Sequence, residues 1–254
     1  MTRGPTPASL SASLTERLVS AQRWLVLTGS GVSAASGVPT FRDAQTGLWA
    51  KYDAESLATP RAFTENPTLV WDWYEWRRSL IARAAPNPAH FALAELASLK
   101  PALTLVTQNV DGLHQRAGSD SVIEFHGNVI RNRCFECSVV AESEPATDTR
   151  PPACSHCDGL LRPDVVWFGE PIPQKALEAA TAAASAAEVF LSVGTAAAVY
   201  PAAGLAQAAV AAGATIVEIN PERTPLSATA DYVLGGSAAS WLPEIAAAVR
   251  KGVS

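Results

Sequence analysis

Trp24-Leu25-Val26-Leu27-Thr28 runs into Gly29-Ser30-Gly31-Val32-Ser33-Ala34-Ala35-Ser36-Gly37, which ends in Val38-Pro39-Thr40-Phe41-Arg42. The first five residues read as a buried apolar strand. The glycines and small residues that follow let backbone N–H groups approach a pyrophosphate, with the N-terminus of the next helix facing the anion. Pro-Thr-Phe-Arg adds what a plain dinucleotide site does not need: an aromatic ring, Phe41, and a fixed cation, Arg42, beside the cofactor. That pairing points to chemistry on the cofactor itself.

Outward from this stretch the chain alternates strands with helices. Ser13-Leu14-Thr15-Glu16 fits a capping box and predicts a helix over Leu14 to Gln22. Strand-like runs follow at Ala102–Thr107, Val122–Phe125, Asp164–Trp167, Val189–Val193 and Thr215–Ile219. Helical stretches lie at Pro88–Leu99, Lys175–Ala186 and Pro201–Ala212. Alternation of this kind predicts an α/β fold, a parallel sheet with helices on both faces. Two segments break it: residues 44–84 read as loop and helix with no strand, and residues 128–160 hold four cysteines. Both are expected to form a smaller domain inserted into the main one, which takes residues 1–43, 85–127 and 161–254.

Composition narrows the partners. With 254 residues and 48% apolar content, the chain can bury a sizeable core. Its formal charge is −5 and no run of Lys or Arg stands out. That argues against nucleic acid or an anionic membrane, both of which need a basic footprint. Met1 to Ala8 lacks the layout of a signal peptide, and no long apolar stretch appears, so a cytoplasmic location is expected.

All four cysteines fall into two Cys-x-x-Cys pairs, Cys134 with Cys137 and Cys154 with Cys157, sixteen residues apart. This is the spacing of a four-cysteine zinc site. Two disulfides are the alternative, and a reducing interior disfavours them. Four protein ligands leave no open position, so the expected Zn²⁺ is structural.

Gly29-x-Gly31-x-x-Ala34 formally matches the dinucleotide fingerprint of a dehydrogenase. That pattern requires a second strand ending in Asp or Glu about 20 residues on, to hold the ribose. Gly47-Leu48-Trp49-Ala50-Lys51-Tyr52-Asp53 is no buried strand, which argues against hydride transfer. The remaining polar signals sit at predicted strand ends, where open α/β sheets bind ligands: Gln108-Asn109-Val110-Asp111, His126-Gly127, Gly194-Thr195 and Asn220-Pro221-Glu222. A lone histidine at a strand end is more often structural than catalytic. The neighbouring amide–carboxylate cluster reverses that judgement for His126, whereas His114 reads as a cap or surface residue.

These segments together resemble the sirtuins, NAD-dependent protein lysine deacylases. The likeness rests on Gly29-Ser30-Gly31-Val32-Ser33 through Gly37-Val38-Pro39-Thr40-Phe41-Arg42, Gln108-Asn109-Val110-Asp111 and His126-Gly127. The paired cysteines, Arg162-Pro163-Asp164-Val165-Val166-Trp167-Phe168-Gly169-Glu170, and Gly194-Thr195 with Asn220 complete it. The resemblance implies a Rossmann-like, doubly wound domain, a small domain of helices plus zinc module, and a cleft for NAD and acyl-lysine. It also implies that the acyl oxygen attacks C1′ of the nicotinamide ribose and that nicotinamide leaves. His126 would be the general base acting on the ribose hydroxyls, and Asn109 would orient the ribose or a water. Gln108 and Asp111 would meet the carboxamide and ribose, Phe41 would shield C1′, and Arg42 would meet phosphate. Gly29, Ser30, Gly31, Ser33, Gly194, Thr195 and Ala196 would cradle the cofactor, with Asn220 and Glu222 at the adenosine ribose and Ala238 at the adenine. Ala196 stands where the family usually has Ser, Ala35 where Glu is common and Ser30 where Ala is common; the first removes one hydroxyl contact to the cofactor.

The substrate peptide would insert as an extra strand between Val166-Trp167-Phe168-Gly169-Glu170 and the stretch 196–200, giving affinity with little sequence preference. Val166, Phe168, Gly169 and Glu170 are therefore expected to touch it. Trp71-Asp72-Trp73-Tyr74-Glu75-Trp76-Arg77-Arg78 is aromatic-rich and reads as a packed helix. Tyr74 and Arg77, three apart, share one face and make a carboxylate site. Tyr-x-x-Arg here, with the small Ala58 in Leu57-Ala58-Thr59-Pro60, resembles the desuccinylase-like bacterial and class III subgroup, which removes succinyl, malonyl or glutaryl groups. The resemblance thus implies an acidic-acyl deacylase that retains deacetylation and acts on acyl-lysine proteins; the sequence is silent on oligomeric state, and a monomer is the expectation. Plain deacetylation, mono-ADP-ribosyl transfer and a non-catalytic NAD-binding module remain as alternatives.

Overall fold

The computed structural model describes residues 9–38, 47–141 and 149–253. Strands β1 (Arg23–Thr28), β2 (Ala102–Thr107) and β3 (Val122–Glu124) form one half of a six-stranded parallel sheet. Strands β6 (Val189–Val193), β7 (Thr215–Asn220) and β8 (Tyr232–Gly235) form the other half, in the order β3-β2-β1-β6-β7-β8. Chain order reverses between β1 and β6, so the loops leaving these two strands diverge and open a crevice.

Period-two alternation divides β1 between two cores. Trp24 and Val26 pack with residues of α1 (Ala12–Ser20), α5 (Pro88–Leu99) and α9 (Ala238–Val253). Leu25 and Leu27 pack on the other face with α7 (Gln174–Ala186) and α8 (Ala202–Ala211). Helix α1 is capped by Ser11, whose hydroxyl accepts the Leu14 N–H at 3.2 Å, so the helix starts earlier than the Ser13–Glu16 box predicts.

A third core lies outside the sheet. It joins α2 (Ala54–Leu57), α3 (Pro60–Glu65) and α4 (Pro67–Arg83) to an antiparallel pair, β4 (Gly127–Cys134) with β5 (Leu161–Val165). Two expectations are corrected here. The strand expected over Asp164–Trp167 ends at Val165 and belongs to this pair, not to the parallel sheet. Its partner β4, unpredicted, carries alternating polar residues and a register break between Asn128 and Asn132, which hide its periodicity.

Candidate active site

The glycine loop leaves β1 as two single turns of 3-10 helix, Ser30–Val32 and Ala34–Ser36. No full helix points its N-terminus at the crevice there among the described residues, which corrects the reading of the loop. Instead it abuts the loop after β6. Gly31 N–H donates to the Gly194 carbonyl at 3.0 Å and Gly29 N–H to the Val193 carbonyl at 3.0 Å. A Cβ on Gly31 would lie 2.7 Å from Gly194 Cα, and Gly194 itself has φ +59°. Small residues are needed because two backbones touch. Gly31→Ala is expected to cost about 1–3 kcal/mol by overpacking, with a fall in Tm of roughly 2–4 °C per kcal/mol. Gly204→Ala, in α8 with its nearest neighbour 4.0 Å away, serves as the control and should leave Tm unchanged or raise it.

Below this junction lies a cavity of about 600 Å³ that runs from the sheet to the third core. Gly29, Ser30, Ser33, Gly194, Thr195 and Ala196 line one end. Gln108, Asn109, Asp111 and His126 line the cavity as well. Ala58, Tyr74 and Arg77 line the far end, with Val166, Phe168, Gly169 and Glu170 along the side. Gly31, Asn220, Glu222 and Ala238 are outside the lining. Asn220 Nδ2 donates to the Thr195 carbonyl at 2.8 Å, Glu222 is exposed, and Ala238 is buried at the start of α9. Phe41 and Arg42 fall outside the described residues.

His126 Nδ1 lies 2.8 Å from the Gln108 backbone carbonyl. A carbonyl only accepts, so Nδ1 carries the proton and the basic lone pair belongs to Nε2. Burial holds the imidazole below its ordinary range, and the Gln108 bond partly opposes that. The ring is therefore neutral and basic near pH 7.

Ser33, which lines the same cavity, collects three partners. Its hydroxyl donates to Asp111 Oδ2 at 2.7 Å and accepts from Asn109 Nδ2 at 3.1 Å; His90 Nε2 lies 3.4 Å away. Asp111 Oδ1 accepts the Leu113 N–H at 2.9 Å. His90 was missed in the sequence, although Asn87-Pro88-Ala89-His90 is a capping sequence: His90 Nδ1 accepts the Asn87 N–H at 3.2 Å. His114 is corrected from a surface residue to a buried one. Its Nε2 meets Thr28 Oγ1 at 3.0 Å, and its ring packs 4.9 Å from His90. Burial, with the neighbouring His90, pushes its imidazole down to about 3.

At the far end, Tyr74 and Arg77 sit one turn apart on α4. Burial pushes the Tyr74 phenol up to about 12, so it stays a neutral donor. Burial lowers Arg77, and the neighbouring Tyr74 partly opposes that.

The four cysteine sulfurs, all free, lie within 4.8 Å of one another. Cys134 Sγ is 3.5 Å from Cys157 Sγ, and Cys137 Sγ is 3.9 Å from Cys154 Sγ. A tetrahedron of ~2.3 Å Zn–S bonds has edges of roughly 3.8 Å. Each pair bends in the same way: Glu136 N–H points at Cys134 Sγ and His156 N–H at Cys154 Sγ, both at 3.4 Å. Ser138 and Asp158, the residues after each pair, both take positive φ. The donor set fits Zn²⁺, and none of it lines the cavity.

Residues 29–201 match the Sir2 family model. The chain belongs to the Sir2 family. It is similar to the NAD-dependent protein deacylase of Ralstonia nicotianae, at 53% identity over 89% of this chain and 92% of that one. Among solved structures it is similar to a Sir2 homologue–NAD complex, with TM-score 0.91 and 43% identity over 99% of this chain and 98% of the other. A mutant Sir2 homologue in complex with 2′-O-acetyl ADP ribose aligns at TM-score 0.89 and 45% identity, over 96% and 98%. Among the described residues of this Sir2-family chain, no helix is long and apolar enough to cross a membrane.

Proposed function

We propose that this protein is an NAD-dependent protein-lysine deacylase that removes succinyl, malonyl and acetyl groups in the cytoplasm, releasing nicotinamide and O-acyl-ADP-ribose. The observation that carries the reading is one continuous cavity with a glycine cradle at one end and Tyr74 with Arg77 at the other. His126, basic at Nε2, lines the same cavity. In this reading the parallel-sheet domain expected over residues 1–43, 85–127 and 161–254 holds NAD, except that Gly127 and residues 161–165 go with β4 and β5 to the smaller domain of residues 44–84 and 128–160. His126 Nε2 takes a proton from a ribose hydroxyl so that the oxygen can attack the activated acyl carbon. Asn109, fixed through Ser33, orients the ribose or a water. Gln108 and Asp111 face the carboxamide. The peptide strand lies along Val166–Glu170, and Ala58 leaves room for an acyl chain longer than acetyl. Tyr74 donates to the acyl carboxylate and Arg77 neutralises it.

Purified protein given NAD with acetyl-, succinyl- or unmodified-lysine peptides should release nicotinamide with the first two only. No release overturns the proposal, and label appearing on the protein acceptor would indicate mono-ADP-ribosyl transfer. Loss of a charge-assisted hydrogen bond of about 1.5–3 kcal/mol means that Arg77→Met lowers succinyl kcat/KM by roughly 10- to 150-fold. Acetyl turnover should fall far less; equal losses would leave α4 a packing helix only.

A further inference from the structure

The segment after β5 ties three parts of the cavity together. Val166 N–H donates to the His126 carbonyl at 2.9 Å, and Phe168 N–H donates to the Ala58 carbonyl at 2.9 Å. Between them the Trp167 indole N–H donates to the Tyr74 hydroxyl at 2.9 Å, and both side chains are buried. Trp167 is itself clamped. The Arg162 guanidinium stacks 3.3 Å over its ring, and Arg162 makes two bonds to Glu170, at 2.5 and 2.9 Å. Glu170 in turn accepts the Trp167 backbone N–H at 2.8 Å. Burial pushes the Glu170 carboxyl up, but the Arg162 and Trp167 bonds outweigh it and hold it below its ordinary range. The clamp thus stays charged at neutral pH.

An indole N–H donates and cannot accept. With Trp167 occupying the Tyr74 oxygen, the phenol proton must point away from the indole. Among the described residues, the bond from Trp167 is the one hydrogen bond at this hydroxyl, and Tyr74 lines the cavity. We infer that Trp167 is a positioning residue for acidic-acyl selection: its indole N–H turns the Tyr74 hydroxyl into a pre-aimed donor for the carboxylate of the bound acyl group. The inference rests on the succinyl reading above and adds a residue to it. Pre-aiming matters because a free phenol loses rotational freedom when it binds an anion, whereas this one is set beforehand.

The test is a double-mutant cycle with steady-state kinetics on succinyl- and acetyl-lysine peptides. Trp167→Phe keeps an aromatic ring over Arg162 and removes the N–H. It should lower the succinyl-to-acetyl ratio of kcat/KM about 3- to 10-fold, chiefly through the succinyl KM. In a Tyr74→Phe background the same change should leave that ratio where Tyr74→Phe put it, because the hydroxyl it acts through is gone. Replacing Trp167 with 3-benzothienylalanine keeps the bicyclic shape and removes only the N–H, and should reproduce the ratio change if the smaller Phe fails to fold. Equal losses on both peptides, or a full further fall in the Tyr74→Phe background, overturn the inference. Wild-type protein that ignores succinyl peptide, or an Arg77→Met variant with an unchanged ratio, overturns the acidic-acyl reading and this inference with it. Succinyl turnover lost in Arg77→Met together with an unchanged ratio in Trp167→Phe overturns this inference alone.

Discussion

His126→Ala lowers deacylation kcat/KM by about 10²- to 10⁴-fold, the range expected for a positioned general base. The ring is fixed by one bond to a backbone carbonyl that cannot change its role, so Nε2 is the basic atom in the resting protein. Burial lowers the imidazole pKa, which places the acid limb of kcat/KM below the ordinary imidazole value of about 6.5. The sign follows from the role. The base must be neutral, so activity falls as pH drops through the lowered pKa, and it holds at mildly acidic pH where an exposed histidine would already be protonated. A pH–rate profile of the wild type against His126→Ala measures both effects. An acid limb above 6.5, or a variant with the wild-type rate, would remove His126 from the chemistry.

Stripping the metal has the second large effect. The protein should carry close to one Zn²⁺, and binding to four thiolates contributes on the order of 10 kcal/mol to folding. The stability goes to a specific place. Cys134 ends β4, and Cys134, Cys154 and Leu161 pack with Trp71 of α4. The same helix is tied to β4 by Arg78, which donates to the Val129 carbonyl and to Asn132 Oδ1. A strong chelator should therefore lower Tm, alter tryptophan fluorescence and abolish turnover, and added Zn²⁺ should restore all three. Cys134→Ser should behave like the chelated protein. A chelated protein with unchanged Tm and activity would show that the knuckles hold without metal.

Local signals explain which elements were legible. Helix α5 matches its predicted bounds because Asn87-Pro88 caps it and Pro at the first position tolerates the missing N–H. Strands β1, β2 and β6 are mainly apolar runs, broken only by Arg23, by threonines and by Ser192, as suits strands covered on both faces. Strand β8 is hard to read in the sequence because it is four residues long and lies at the sheet edge with partly exposed residues. In the sequence, Gly29 and Gly31 read as room for a ligand. Their closest neighbour in the fold is another backbone, at Gly194.

From its sequence alone this protein declared an α/β sheet, a four-cysteine centre, a strand-end cluster around His126 and a Tyr-x-x-Arg face. Each is written in contiguous or regularly spaced residues, which local periodicity and ligand spacing reveal. Only the tertiary structure decided how these parts meet. The protonated nitrogen of His126 depends on a carbonyl 18 positions away, and the direction of the Tyr74 proton depends on an indole 93 positions away. Such orientations come from the packing of one core against another, and no local pattern in the chain encodes them.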